Sequence, residues 1–132
     1  MKIFLSMIPP TVTHQEKKVT VKGGKPIFYE PPALKEARSE LMARLWKCRP
    51  EKPFHGPVML KVMWLFLKDR RHKDGEWKIT KPDTDNLNKL LKDCMTACEF
   101  WIDDALVCVE HIEKRWAEHP GIWIELDEIG GE

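Results

Sequence analysis

Between Lys81 and Lys89 the chain reads Lys-Pro-Asp-Thr-Asp-Asn-Leu-Asn-Lys, placing two carboxylates, Asp83 and Asp85, two residues apart. Pro82 disfavours helical geometry at Lys81 and starts an extended or turn-like approach, so both carboxylates can project to one side at the mouth of the helix that follows. Either aspartate could instead cap that helix by accepting backbone N–H bonds, a role that needs no catalysis. A second acidic pair, Asp103-Asp104, stands after the same helix and just before a predicted strand. A compact sheet could bring that strand end beside the helix mouth and gather the four carboxylates in one pocket. Crowded carboxylates repel and raise one another's pKa unless a cation sits between them, and hard oxygen ligands favour Mg²⁺ or Mn²⁺ over zinc. Lys89 follows Asp85 by four residues and Asp93 follows Lys89 by four, which lines the three along one helical face. That row reads either as a surface ladder of ion pairs or as an ammonium held over the carboxylates, where it would stabilise charge building on a phosphate under attack.

A basic stretch leads into the aspartates: Lys68, Arg70, Arg71, Lys73, Lys78 and Lys81, with Trp77 among them. Such a loop could grip a phosphate backbone, although Asp69, Asp74 and Glu76 dilute its field and a solvated charged loop would look similar. Lys17, Lys18, Lys22 and Lys25 on a predicted hairpin are a second candidate, with lysine protection of an edge strand as the alternative. The net charge is only +1, but Glu110 to Glu132 carries seven acids against Lys114 and Arg115, so the remainder is basic. No Ser-His or Cys-His pair competes for the chemistry, and Gly23-Gly24 is too short for a phosphate-cradling loop, so no nucleotide cofactor is expected. Cys94, Cys98, Cys108 and His111 could in principle form a zinc site, but Cys94 and Cys98 fall on a leucine stripe and read as packing.

The elements that must position these groups are legible from periodicity. Leu87, Leu90, Leu91, Cys94, Met95 and Cys98 recur at helical spacing and predict a helix from about Asp85 to Cys98. An earlier amphipathic helix is expected from Pro32 to Cys48, through Leu34, Ala37, Leu41 and Leu45, and Pro50 stops it. Val58 to Leu67 is apolar on both faces apart from Lys61 and reads as a central strand. Further strands are expected at residues 3–8, in a hairpin of residues 17–22 and 25–29, at 105–116 and at 121–126, the last two joined through His119-Pro120-Gly121. Together these predict a single α+β domain spanning residues 1–132, with one mixed or antiparallel sheet and two main helices packed on it. With 42% hydrophobic residues the chain can bury a core, which excludes disorder. The longest apolar run, Val62 to Leu67, falls far short of the roughly 20 residues of a membrane span, so a soluble, cytoplasmic protein is expected.

Lys81-Pro82-Asp83-Thr84-Asp85-Asn86, then Lys89, Asp93 and Phe100-Trp101-Ile102-Asp103-Asp104-Ala105, resemble the RusA family of Holliday junction resolvases. Ile8-Pro9-Pro10 and the helix of residues 32–48 add weaker echoes. The resemblance implies a RusA-like fold and a homodimeric, Mg²⁺-dependent endonuclease that cuts four-way branched DNA symmetrically, in recombination and repair. By position it implies metal-binding catalytic roles for Asp83, Asp85 and Asp104, a catalytic role for Lys89 and supporting roles for Asp103 and Asp93. Two equivalent strands and one carboxylate cluster per chain call for two chains about a twofold axis, with the uncovered face of Val58 to Leu67 as a candidate contact. Action on other branched DNAs such as forks and flaps, or DNA binding without catalysis, are the alternatives.

Overall fold

The computed structural model describes residues 1–13 and 18–130. In chain order its elements are β1 (Lys2–Leu5), β2 (Lys18–Lys22), β3 (Lys25–Tyr29), α1 (Pro32–Cys48), β4 (Val58–Leu67), α2 (Thr84–Ala97), β5 (Val107–Ala117) and β6 (Gly121–Glu128), with a short 3-10 turn at Asp104–Leu106. Four strands form one sheet in the order β1-β6-β4-β5, and β2 pairs with β3 as a separate hairpin. The arrangement is α+β, as the periodicity predicts. The expected lysine cluster on the hairpin lies outside the described residues for Lys17 and for the side chains of Lys18 and Lys22, whereas Lys25 is exposed.

β4 lies between β6, antiparallel to it, and β5, parallel to it. A parallel neighbour cannot be reached by a hairpin, so the chain leaves β4, passes through the basic stretch and α2, and returns along β5. This crossover carries Asp83, Asp85, Asp93, Asp103 and Asp104. Alternate β4 side chains (Val58, Leu60, Val62, Trp64 and Phe66) are buried, while Met59, Lys61, Met63 and Leu65 on the other face are half-buried. The buried face joins Leu34, Leu41 and Leu45 of α1 and Leu87, Leu90, Leu91, Cys94 and Met95 of α2 in one core. Pro32 at the first turn of α1 supplies a pre-set φ where no backbone donor is needed.

α2 ends one residue short of the expected Cys98. The Phe100 N–H donates to the Met95 carbonyl at 3.0 Å and the Glu99 N–H to the Thr96 carbonyl at 3.1 Å, a paired closure that puts Glu99 at φ 64°. Cys94 and Cys98 are buried, and burial pushes the Cys94 thiol up to about 12. Residues 118–120 arch over the end of β4, so β5 and β6 flank that strand instead of pairing with each other.

Candidate active site

α2 is amphipathic because its leucine stripe faces the sheet, which leaves the opposite face of its first turns looking outward. There Thr84, Asp85, Asn88, Lys89 and Lys92 form one wall of a cavity of about 350 Å³. Asp104, from the turn that leads into β5, and Glu110 and Ile112, from β5 itself, complete the lining. The crossover thus brings Asp85, Lys89 and Asp104 onto one cavity, although Lys89 and Asp104 are 15 positions apart in the chain.

Asp83 occupies the N-cap of α2 with extended backbone (φ −74°, ψ 150°), yet its side chain makes no capping hydrogen bond. The helix-capping explanation of this carboxylate therefore fails for Asp83, which is exposed beside the cavity-lining residue Thr84. Among the described residues no ion pair joins Asp85 to Lys89, so the start of the row is not a simple surface ladder. Asp103 does cap: its carboxylate accepts the Ala105 N–H at 2.8 Å and shapes the turn that presents Asp104. Asp93, one helical turn beyond Lys89, is half-buried and outside the cavity lining.

Three cavity groups carried no signal in the aspartate motif. Glu110 accepts the Lys92 ammonium at 2.6 Å and the Asn88 amide at 2.9 Å, so a strand carboxylate is tied across the cavity to α2. Asn88 is 4% exposed and its Oδ1 is buried without a hydrogen-bond partner. The available sign was a polar residue adjoining the leucine stripe with a lysine one turn later, but its partner is 22 residues away and only the tertiary structure supplies it.

The basic stretch is divided by the structure. Arg70, Arg71, Lys73 and Lys81 are exposed and Lys68 half-buried, whereas Lys78 is 8% exposed. The Lys78 ammonium sits 4.6 Å from the Trp116 ring centroid and donates to the Lys81 carbonyl at 2.8 Å, so it is turned inward and not toward a bound polyanion. Burial, with the Lys114 charge nearby, holds its pKa below the usual lysine range. Arg71 is partly spent on Asp69, whose carboxyl is lowered to about 2, first by the Arg71 backbone N–H and then by bonds from the His72 and Arg71 side chains. Trp77 is exposed, with the Arg115 guanidinium stacked 3.6 Å from its ring centroid.

The family model described as Endodeoxyribonuclease RusA matches residues 8–127, which include the whole crossover and both acidic segments. The chain belongs to the RusA endodeoxyribonuclease family. A relative from Lactococcus phage r1t, described as crossover junction endodeoxyribonuclease rusA, is 30% identical over 119 residues, covering 89% of each chain. RusA membership makes this chain an endodeoxyribonuclease. No helix among the described residues is long and apolar enough to cross a membrane.

Proposed function

We propose that this RusA-family chain is a Mg²⁺-dependent, structure-selective endonuclease that resolves four-way DNA junctions by paired symmetric nicks in recombination and repair. The supporting observation is the cavity shared by Asp85, Lys89 and Asp104, with Asp83 at the adjoining N-cap and free of capping duty. The phage relative's description as a crossover junction nuclease supports the choice of branched DNA.

The donor set suits a hard cation. Among the described residues no three His, Cys, Asp or Glu side chains are gathered as a ready-made metal cage. Mg²⁺ does not require one: it keeps several waters and commonly binds through one or two carboxylates together with substrate phosphate. Asp85 and Asp104 would hold it, with Asp83 beside them, and Mn²⁺ is the natural substitute. When bound, such an ion supplies Lewis-acid activation of water and charge neutralisation at the departing oxygen. Lys89, on the same wall, would supply an ammonium to stabilise the negative charge that grows on the phosphate under attack. The Lys92–Glu110–Asn88 ties hold α2 against β5, and so keep the two acidic segments in register. Arg70, Lys73 and Lys81, exposed in the stretch that leads into α2, would contact phosphates, with Lys68 and Arg71 contributing less.

If the cavity of Asp85 and Asp104 makes one cut, paired cuts in a twofold-symmetric junction require a homodimer. The test is incubation of the purified protein with end-labelled four-way DNA, forks and flaps, with Mg²⁺ and with a chelator. Paired nicks at symmetry-related positions in the four-way substrate, abolished by chelation, are expected. Faster cutting of forks or flaps would overturn the junction assignment, and binding without metal-dependent cutting would overturn the nuclease mechanism.

A further inference from the structure

The segment that delivers Asp83 and Asp85 has little apolar anchorage. Ile79 is 92% exposed, and Thr80 and Lys81 are exposed, so of residues 79–82 only Pro82 is buried. Two ammonium groups hold it instead. Lys114 on β5 donates to the Thr80 carbonyl at 2.7 Å and to the Pro82 carbonyl at 2.8 Å. Lys78 donates to the Lys81 carbonyl at 2.8 Å and to the Thr80 hydroxyl at 2.5 Å. The carbonyls of three successive residues are therefore occupied by two side chains, immediately before the first aspartate.

The position of Lys114 gives the arrangement its meaning. β5 is the strand whose leading turn presents Asp104, and Glu110 and Ile112 on it line the cavity. One rigid strand thus fixes both acidic segments: Asp104 through the chain, and Asp83 and Asp85 through the carbonyls gripped by Lys114. The outer edge of β5 strengthens the grip, because the Lys78 N–H donates to the Lys114 carbonyl at 3.1 Å and the Trp116 N–H to the Glu76 carbonyl at 2.8 Å. Two like charges held close are costly unless their donors are satisfied, and here main-chain dipoles satisfy them where a carboxylate would be the ordinary partner.

We infer that Lys114, assisted by Lys78, is a positioning residue for cleavage, holding the carbonyls of residues 80–82 so that Asp83 and Asp85 face Asp104 in a metal-competent arrangement. This rests on the proposed metal-holding role of the aspartates. Lys114 acts through backbone and touches neither phosphate nor metal, which separates it from Lys89 and from the exposed cations of the loop. Lys78, although it belongs to the basic stretch, shares this duty.

The experiment compares wild type with Lys114→Met, which keeps the aliphatic stem, with Lys114→Arg, and with Thr80→Val, an exposed change that removes only the hydroxyl acceptor of Lys78. Mn²⁺ binding to each protein alone is measured by calorimetry, junction binding in chelator by gel shift, single-turnover cutting across a metal titration, and melting temperature. For Lys114→Met, metal affinity should fall about 10-fold or more, as when an outer hydrogen-bond partner of a metal ligand is lost. Half-saturation of cutting should move with it, while metal-free junction affinity changes by less than about 2-fold, because no phosphate contact is removed. Lys114→Arg, whose fork can also serve two carbonyls, should recover metal affinity to within about 3-fold of wild type. Thr80→Val should weaken metal binding in the same direction by about 2-fold, and it keeps the test decisive if Lys114→Met fails to fold.

Unchanged metal affinity in a folded Lys114→Met, or in Thr80→Val where that variant alone folds, would overturn the inference. So would a loss of junction affinity with a salt slope reduced by about one, the mark of a phosphate contact. If wild type itself neither binds Mn²⁺ nor cuts branched DNA, the functional proposal fails and this inference with it. If wild type does both and the variants match it, only the positioning role fails.

Discussion

Asp85→Asn separates chemistry from folding. Asp85 is exposed in the first turn of α2 and has no ion pair with Lys89, so its folding role reduces to interaction with the helix dipole. Losing that charge costs about 0.3–1 kcal/mol, partly offset by relief of repulsion from Asp83. In a domain of this size the melting temperature should fall by no more than about 3–5 °C. The effect on cutting should be far larger: removal of one charge-stabilising group from the reacting centre typically costs about 10²–10³ in rate, equivalent to about 3–4 kcal/mol. Neutralising an acid beside a polyanion should leave junction binding unchanged or tighter. The assay is single-turnover nicking of labelled four-way DNA at saturating protein, with melting and chelator binding measured on the same preparation. A variant that cuts at the wild-type rate would refute the assignment of Asp85. Loss of cutting that merely tracks a large fall in melting temperature would refute the claim that its role is chemical.

Other consequences follow from particular contacts. Glu99 closes α2 with a positive φ of 64°, so Glu99→Gly should raise stability by about 0.5–1 kcal/mol in a denaturant titration, unlike most glycine substitutions. Glu113 accepts bonds from His111 at 2.6 Å and Arg115 at 2.8 Å, which hold its carboxyl below the ordinary 4.5. A depressed carboxyl stabilises the fold above its unfolded pKa and loses that contribution as pH falls through the folded value. The melting difference between wild type and Glu113→Gln should therefore be present at neutral pH and vanish under acid conditions; a difference that grows in acid would contradict the sign. Cys108 is exposed, whereas Cys94 is buried with its thiol raised to about 12, so brief iodoacetamide treatment at mildly alkaline pH should label Cys108 and spare Cys94 in a peptide mass map.

The two helices and the central strand were readable because each follows one dominant period. Leu87, Leu90, Leu91, Cys94 and Met95 are buried as their spacing predicts, and α1 spans the expected Pro32–Cys48. The same periodicity could not reveal that Asp83 declines the capping role open to it, since a cap and a catalytic carboxylate share one sequence context. Nor could it distinguish Lys78 from its exposed neighbours: a basic run has no period, and the Trp116 ring that covers this lysine comes from β5. Glu110 and Lys114 were missed for the same reason, because their partners lie 18 to 34 residues away.

Residue types alone determined that oxygen-ligand chemistry was available, which segment offers it and which helix carries Lys89, because carboxylate spacing and helical period are local properties. Tertiary structure decided the rest. The parallel pairing of β4 with β5 requires the crossover that brings Asp104 to the cavity of Asp85, and two lysine ammoniums, turned from solvent to main-chain carbonyls, hold the intervening segment. Such contacts join groups far apart along the chain, and it is the packing of strand against helix that brings them within bonding distance.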